Sequence, residues 1–135
     1  MVRGLSLERF TISGNSVSAA VCVFPHNLRV TEDMANSMLA LRPTLAEHVC
    51  KHHGMGFFGD KLIDTSLPHL VEHLAIDLLV EANRQNTQAE AVAGITTWLD
   101  RSKGIMQVRI SYTTQSAEET CAAITHAIAM VNRYL

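Results

Sequence analysis

Cysteine is scarce in this chain: Cys22, Cys50 and Cys121 are three in number and widely spaced, which excludes a disulfide framework and fits a reducing compartment. Two of the three read as plain core residues. Long apolar runs are missing as well. No stretch reaches the roughly 18 consecutive apolar residues of a membrane span, and Met1–Phe10 hold no apolar core of signal-peptide length. A cytoplasmic protein with no membrane partner is expected. Charge of either sign is in short supply, with a formal net charge of -2 and Lys and Arg scattered along the chain. The basic footprint of a nucleic-acid binder is therefore absent, and no nucleic acid is expected as a partner. Internal repeats and low-complexity tracts are also missing.

What the chain does have is apolar content, 47% of 135 residues, enough to close one core without a metal or disulfide staple. A single domain over residues 1–135 is expected. Leu5–Ser13 and Ser16–Phe24 are short, β-branched and apolar runs around Gly14-Asn15, which predicts a hairpin. Thr31 is placed to cap a helix carrying Met34, Met38, Leu41 and Leu45 at helical spacing, and Pro43 predicts a kink or a break in it. Gly54-Met55-Gly56 and Phe57-Phe58-Gly59-Asp60 read as loop, with the paired aromatics as a lid on the core.

The next helix is expected to start near Ser66, with Pro68 in its first turn, and to run to about Ala82. Asn83–Gly94 is polar and reads as a loop. Ile95–Leu99 and Ile105–Tyr112 predict a second strand pair. Ser116 and Glu119 form a capping box for a last helix whose buried stripe is Cys121, Ile124, Ile128, Val131 and Leu135. The order ββααββα predicts an α+β fold, a mostly antiparallel four-stranded sheet with helices on one face.

The chemistry concentrates in His69-Leu70-Val71-Glu72-His73. Residues four apart on a helix lie one turn above each other, so His69 and His73 present two imidazoles to one side, and Glu72 lies about 60° round from His69. In zinc hydrolases with a His-x-x-Glu-His order, the two histidines hold the metal and the glutamate takes a proton from its water. Leu67, Leu70, Val71, Leu74, Ala75 and Leu78 form an apolar stripe roughly opposite the histidines, while Ile76 and Val80 share the histidine side. That side is expected to line a semi-enclosed pocket or an interface. The plainer alternative is two histidines and a glutamate on an ordinary solvated face.

A zinc site needs a third protein ligand, and the sequence offers several. His48 leads, with Cys50 beside it in Glu47-His48-Val49-Cys50; Glu118, Glu119 and His126 are further candidates. Glu118 and Glu119 also suit a cap and its dipole, and His52 and His53 suit a helix C-terminus.

Leu41-Arg42-Pro43-Thr44-Leu45-Ala46-Glu47-His48-Val49-Cys50, then Gly56-Phe57-Phe58, then His69 to Leu78 occur in an order and at separations that resemble the amino-terminal domain of cyanophycin synthetase. The resemblance runs most strongly from Leu41 to Leu78. It implies a domain that engages an arginine- and aspartate-bearing polymer, in some members as a metal-dependent, peptidase-like hydrolase. By position it implies His69 and His73 as metal ligands, Glu72 as general base, and Glu47, His48 and Cys50 as supporting or ligating residues. The chain departs from the family at Ile95-Thr96-Thr97-Trp98, where an arginine-rich stretch is usual. The His-x-x-Glu-His helix also resembles those of S-ribosylhomocysteinase and the pitrilysin-type peptidases.

Three functions are therefore carried forward. One is a zinc-dependent hydrolase of an amide or peptide-like bond, in an Arg/Asp-containing polymer or a peptide. The second is a non-catalytic module that binds a polymer or a protein. The third is an assembly domain forming a homo-oligomer through Ile76 and Val80.

Overall fold

The computed structural model describes residues 2–51, 54–83 and 92–135. In chain order the elements are β1 (Gly4–Ser13), β2 (Ser16–Phe24), α1 (Glu32–Leu41), a 3-10 turn (Pro43–Glu47), β3 (Val49–Cys50), β4 (Gly56–Phe57), a 3-10 turn (Phe58–Asp60), α2 (Leu67–Asn83), β5 (Ala93–Asp100), β6 (Ile105–Ser111) and α3 (Ala117–Arg133). The four long strands form one antiparallel sheet in the order β1-β2-β6-β5, and β3 pairs with β4 in a separate two-stranded ribbon. The fold is α+β, as the element pattern predicts.

Alternation along the strands explains the layering. Val17, Ala19, Val21 and Val23 of β2 are almost wholly buried, and β6 sets Ile110 opposite Val17 and Val108 opposite Ala19 on the same side. Continuing across the sheet, β5 sets Gly94 beside Ile110, Thr96 beside Val108 and Trp98 beside Met106. Thr96 and Trp98 therefore look toward the layer of helices. Helices α2 and α3 pack side by side there, α2 over β5 and β6 and α3 over β1 and β2. Among the described residues, no helix is long and apolar enough to cross a membrane.

Local signals set the boundaries. Gly14 takes φ 57°, the left-handed conformation that a tight hairpin turn needs. Thr31 accepts a hydrogen bond from the Met34 N–H at 3.2 Å, and α1 stops at Leu41, with Pro43 opening a 3-10 turn. The proline thus breaks the helical run, and the second piece is a single 3-10 turn. Ser116 caps α3 by accepting from the Glu119 N–H at 3.0 Å.

One expectation fails. The glycine-rich stretch read as loop includes Gly56, which pairs with Cys50, so the β3–β4 ribbon adds two short strands to the predicted order. Two residues per strand are too few to leave a period in the sequence. Of the loop expected over Asn83–Gly94, residues 84–91 lie outside the described residues, and Ala93 and Gly94 already belong to β5.

Candidate metal centre

Helix α2 buries two faces of different chemistry. Leu67, Leu70, Val71, Leu74 and Ala75 are fully buried in the core, and Leu79 nearly so. On the other side His69, Glu72, His73 and Asp77 are also buried, none more than 7% exposed. Four polar side chains out of water on one helix need partners, because an unpaired buried polar group costs about 1–3 kcal/mol.

The ribbon and the turn before it bring those partners. Leu45 anchors the 3-10 turn in the core, and the Phe58 N–H donates to the His48 carbonyl at 2.7 Å, closing the ribbon over α2. Lys61 donates its ammonium to the carbonyls of Cys50, at 2.9 Å, and Gly54. Held this way, Cys50 turns its Sγ to 3.6 Å from His69 Nε2. Ligand atoms of Cys50, His69 and His73 all lie within 4.8 Å of one another. The buried ring of Phe58 stacks on His73, with centroids 3.8 Å apart and planes at 15°, and meets His69 edge-on. A thiol and two imidazoles converging in a sheltered place form a donor set suited to zinc and neighbouring transition metals.

Further polar side chains engage these three. Thr65 Oγ1 lies 2.8 Å from His69 Nδ1. His48 Nδ1 lies 3.1 Å from His73 Nδ1, and its Nε2 lies 3.0 Å from Asp77 Oδ1. Asp77 is fixed in turn by the Thr44 hydroxyl at 2.6 Å and the Arg42 Nε–H at 2.8 Å, and Arg42 also pairs with Glu81. Burial alone would raise the Asp77 carboxyl, but the hydrogen bonds from His48, Thr44 and Arg42, with the Arg42 charge, bring it down to about 2.

Glu72 sits between the cluster and the sheet. Its Oε1 accepts from the Thr96 hydroxyl at 2.7 Å, and its Oε2 lies 3.5 Å from His73 Nε2. Gly94 of β5 passes so close that a Cβ there would stand 2.7 Å from Glu72 Cγ. Burial raises the Glu72 carboxyl to about 7 against the pull of Thr96 and His48. Burial first, and then the electrostatic influence of His69 and His48, lowers His73 to about 3, so its ring stays neutral at physiological pH. His69 also borders a cavity of about 720 Å³ whose walls include Arg29, Thr65, Ser66, Thr96 and Trp98. The Arg101 guanidinium covers the Trp98 ring at 5.0 Å.

The structure thus gathers His69, His73, Cys50, His48 and Glu72 in one place. His48 stands behind His73, and the three-residue cluster itself contains Cys50. Glu118, Glu119 and His126 lie exposed on α3 and have no part in the cluster, Glu119 being occupied in the cap of that helix. Glu47 is exposed at the end of its turn, and the expectations for His52 and His53 lie outside the described residues. On the flank assigned to assembly, Ile76 is half-buried against the core and Val80 is 48% exposed. Sequence reasoning gave no role to Thr65, Asp77 or Thr96, and read Phe58 only as part of an aromatic lid on the core. Two of them carry a readable signal, because Thr65 and Asp77 stand four residues before His69 and four after His73.

No curated protein and no solved structure matches the chain. A family model, the cyanophycin synthase-like N-terminal domain, matches residues 26–134, a span that holds every residue of the cluster and the side chains that contact it. The chain belongs to the cyanophycin synthase-like N-terminal domain family.

Proposed function

We propose that this domain is a zinc-dependent hydrolase of an amide or peptide-like bond, with Cys50, His69 and His73 holding the metal and Glu72 as the proton-transferring group. The observation that carries this reading is the buried Cys50–His69–His73 cluster with a carboxylate beside it. Zinc in such a site supplies a Lewis acid that polarises a carbonyl and makes water acidic enough to react near neutral pH. The protein does the rest. Phe58 shields the imidazoles from solvent, and Thr96 holds Glu72 Oε1 so that Oε2 stays turned toward His73. A carboxyl group held near neutrality by burial is matched to taking up and returning a proton at that pH. The cavity bordered by His69, Thr96 and Trp98 offers room for a peptide-like chain, an Arg/Asp-containing polymer segment among them.

Zinc content of protein purified without chelator tests this. About one equivalent is expected in the wild type, with loss in Cys50→Ala and His69→Ala. Glu72→Gln is expected to keep the metal and lose turnover of peptide substrates. A chain that carries no zinc and takes none up overturns the reading.

A non-catalytic module that binds a polymer or a protein is the second reading. It is favoured by the family match and by the hydrogen bond that ties Glu72 to Thr96. It predicts that Glu72→Gln leaves polymer affinity unchanged and that no turnover accompanies binding.

A further inference from the structure

We infer that Thr65 and the pair His48–Asp77 are positioning residues that make both α2 imidazoles present Nε2 to a bound zinc ion, with His48 itself outside the coordination shell. This rests on the reading of Cys50, His69 and His73 as the metal-holding set. A neutral imidazole carries one N–H, and the partner of one nitrogen decides which nitrogen is left to donate its lone pair.

For His69, Thr65 Oγ1 lies 2.8 Å from Nδ1 and Cys50 Sγ lies 3.6 Å from Nε2; with a zinc ion on Nε2 the proton sits on Nδ1, and the Thr65 hydroxyl accepts it. For His73 the reasoning starts two residues back along a chain of contacts. Asp77 is acceptor-only when ionised, so His48 donates to it from Nε2–H over 3.0 Å. With His48 neutral, its Nδ1 is left to accept, and His73 then donates its own Nδ1–H to it over 3.1 Å. His73 Nε2 therefore faces inward, on the side where Glu72 Oε2 lies 3.5 Å away. Asp77 itself cannot swing, since Thr44 and Arg42 grip both of its oxygens.

The anchoring is asymmetric. A hydroxyl steadies one ring, while a carboxylate acting through a second histidine orients the other. Both nitrogens of His48 are already engaged, one by Asp77 and one by His73, so a direct role as ligand would cost both contacts. Outer partners of this kind typically change metal affinity 10- to 100-fold.

The test is zinc affinity of the full chain, measured by competition with a chromophoric chelator, together with the absorption spectrum of the cobalt(II) form. Asp77→Asn and His48→Gln are each expected to weaken zinc 10- to 100-fold while leaving the cobalt band positions unchanged, because the ligand set is unchanged. Thr65→Val is expected to weaken zinc similarly, and Thr65→Ser to restore it. Circular dichroism of the metal-free variants reads the fold separately. Unchanged zinc affinity in Asp77→Asn and Thr65→Val, even with lower stability, overturns the inference while leaving the metal site standing. Cobalt bands that shift in His48→Gln make His48 a ligand and overturn it too. A wild type that binds no zinc overturns both the inference and the reading beneath it.

Discussion

Helices α2 and α3 have equal length and lie side by side on the same sheet, yet they treat polar residues in opposite ways. Helix α3 is a one-faced amphipathic helix: Ala123, Ile124, Ala127, Ile128 and Val131 go into the core, and Glu118, Glu119, Thr125 and His126 stay in water. Helix α2 buries its polar face as well, and each buried group there is met by a partner from elsewhere in the chain. An arrangement that must satisfy four ionisable or polar groups out of water adds little to stability that apolar residues would not supply. On the proposed reading, the difference separates α2, whose polar side chains would serve chemistry, from α3, which serves the fold.

The sharpest way to break the comparison is through the face the helices share, the core. Leu74→Ala removes a fully buried side chain from α2 and is expected to cost about 2–5 kcal/mol in chemical denaturation, with or without metal. Next comes Gly94→Ala, which crowds Glu72 and Ile76. It is expected to destabilise by about 1–3 kcal/mol and to shift the Glu72 carboxylate off Thr96. Ser116→Ala tests α3 at its cap and is expected to cost about 1 kcal/mol in thermal unfolding while leaving zinc affinity untouched.

Acid provides the mildest probe. The Asp77 carboxyl is held at about 2 in the folded chain against 3.8 in the unfolded one. Its contribution to stability is therefore complete above pH 3.8 and is lost as pH falls from there toward 2. Asp77→Asn is expected to flatten that part of the stability profile measured by denaturation at graded pH. A wild type and variant with the same slope below pH 4 would show that Asp77 is no more anchored than an exposed carboxylate of α3.

Much of the fold was legible because its long elements carry strong periods or unambiguous stops. The β-branched, apolar run Ser16–Phe24, the Gly14-Asn15 turn, Pro43 and the Ser116 cap each act locally, and each appears where expected. The two-residue ribbon was not legible, since nothing in Val49-Cys50 or Gly56-Phe57 sets them apart from loop. The site was legible only where one helix carries it. His69, Glu72 and His73 announce themselves by spacing. His48 and Cys50 lie two apart in extended chain, on the same side of a strand, so spacing alone has no means of choosing between them. Thr96 and Phe58 reach the site through tertiary packing, and the sequence near them carries no mark of it.

Cys50 rides on the small ribbon, whereas both imidazoles ride on α2. On the proposed reading, an ion gripped by all three would act as a clasp between two segments that the Phe58 ring and the His48 contacts otherwise hold together. Its binding energy becomes folding energy for that part of the chain, and the melting temperature should climb with free zinc concentration and drop on chelation. The ribbon, not the helix, is where that coupling would first come undone.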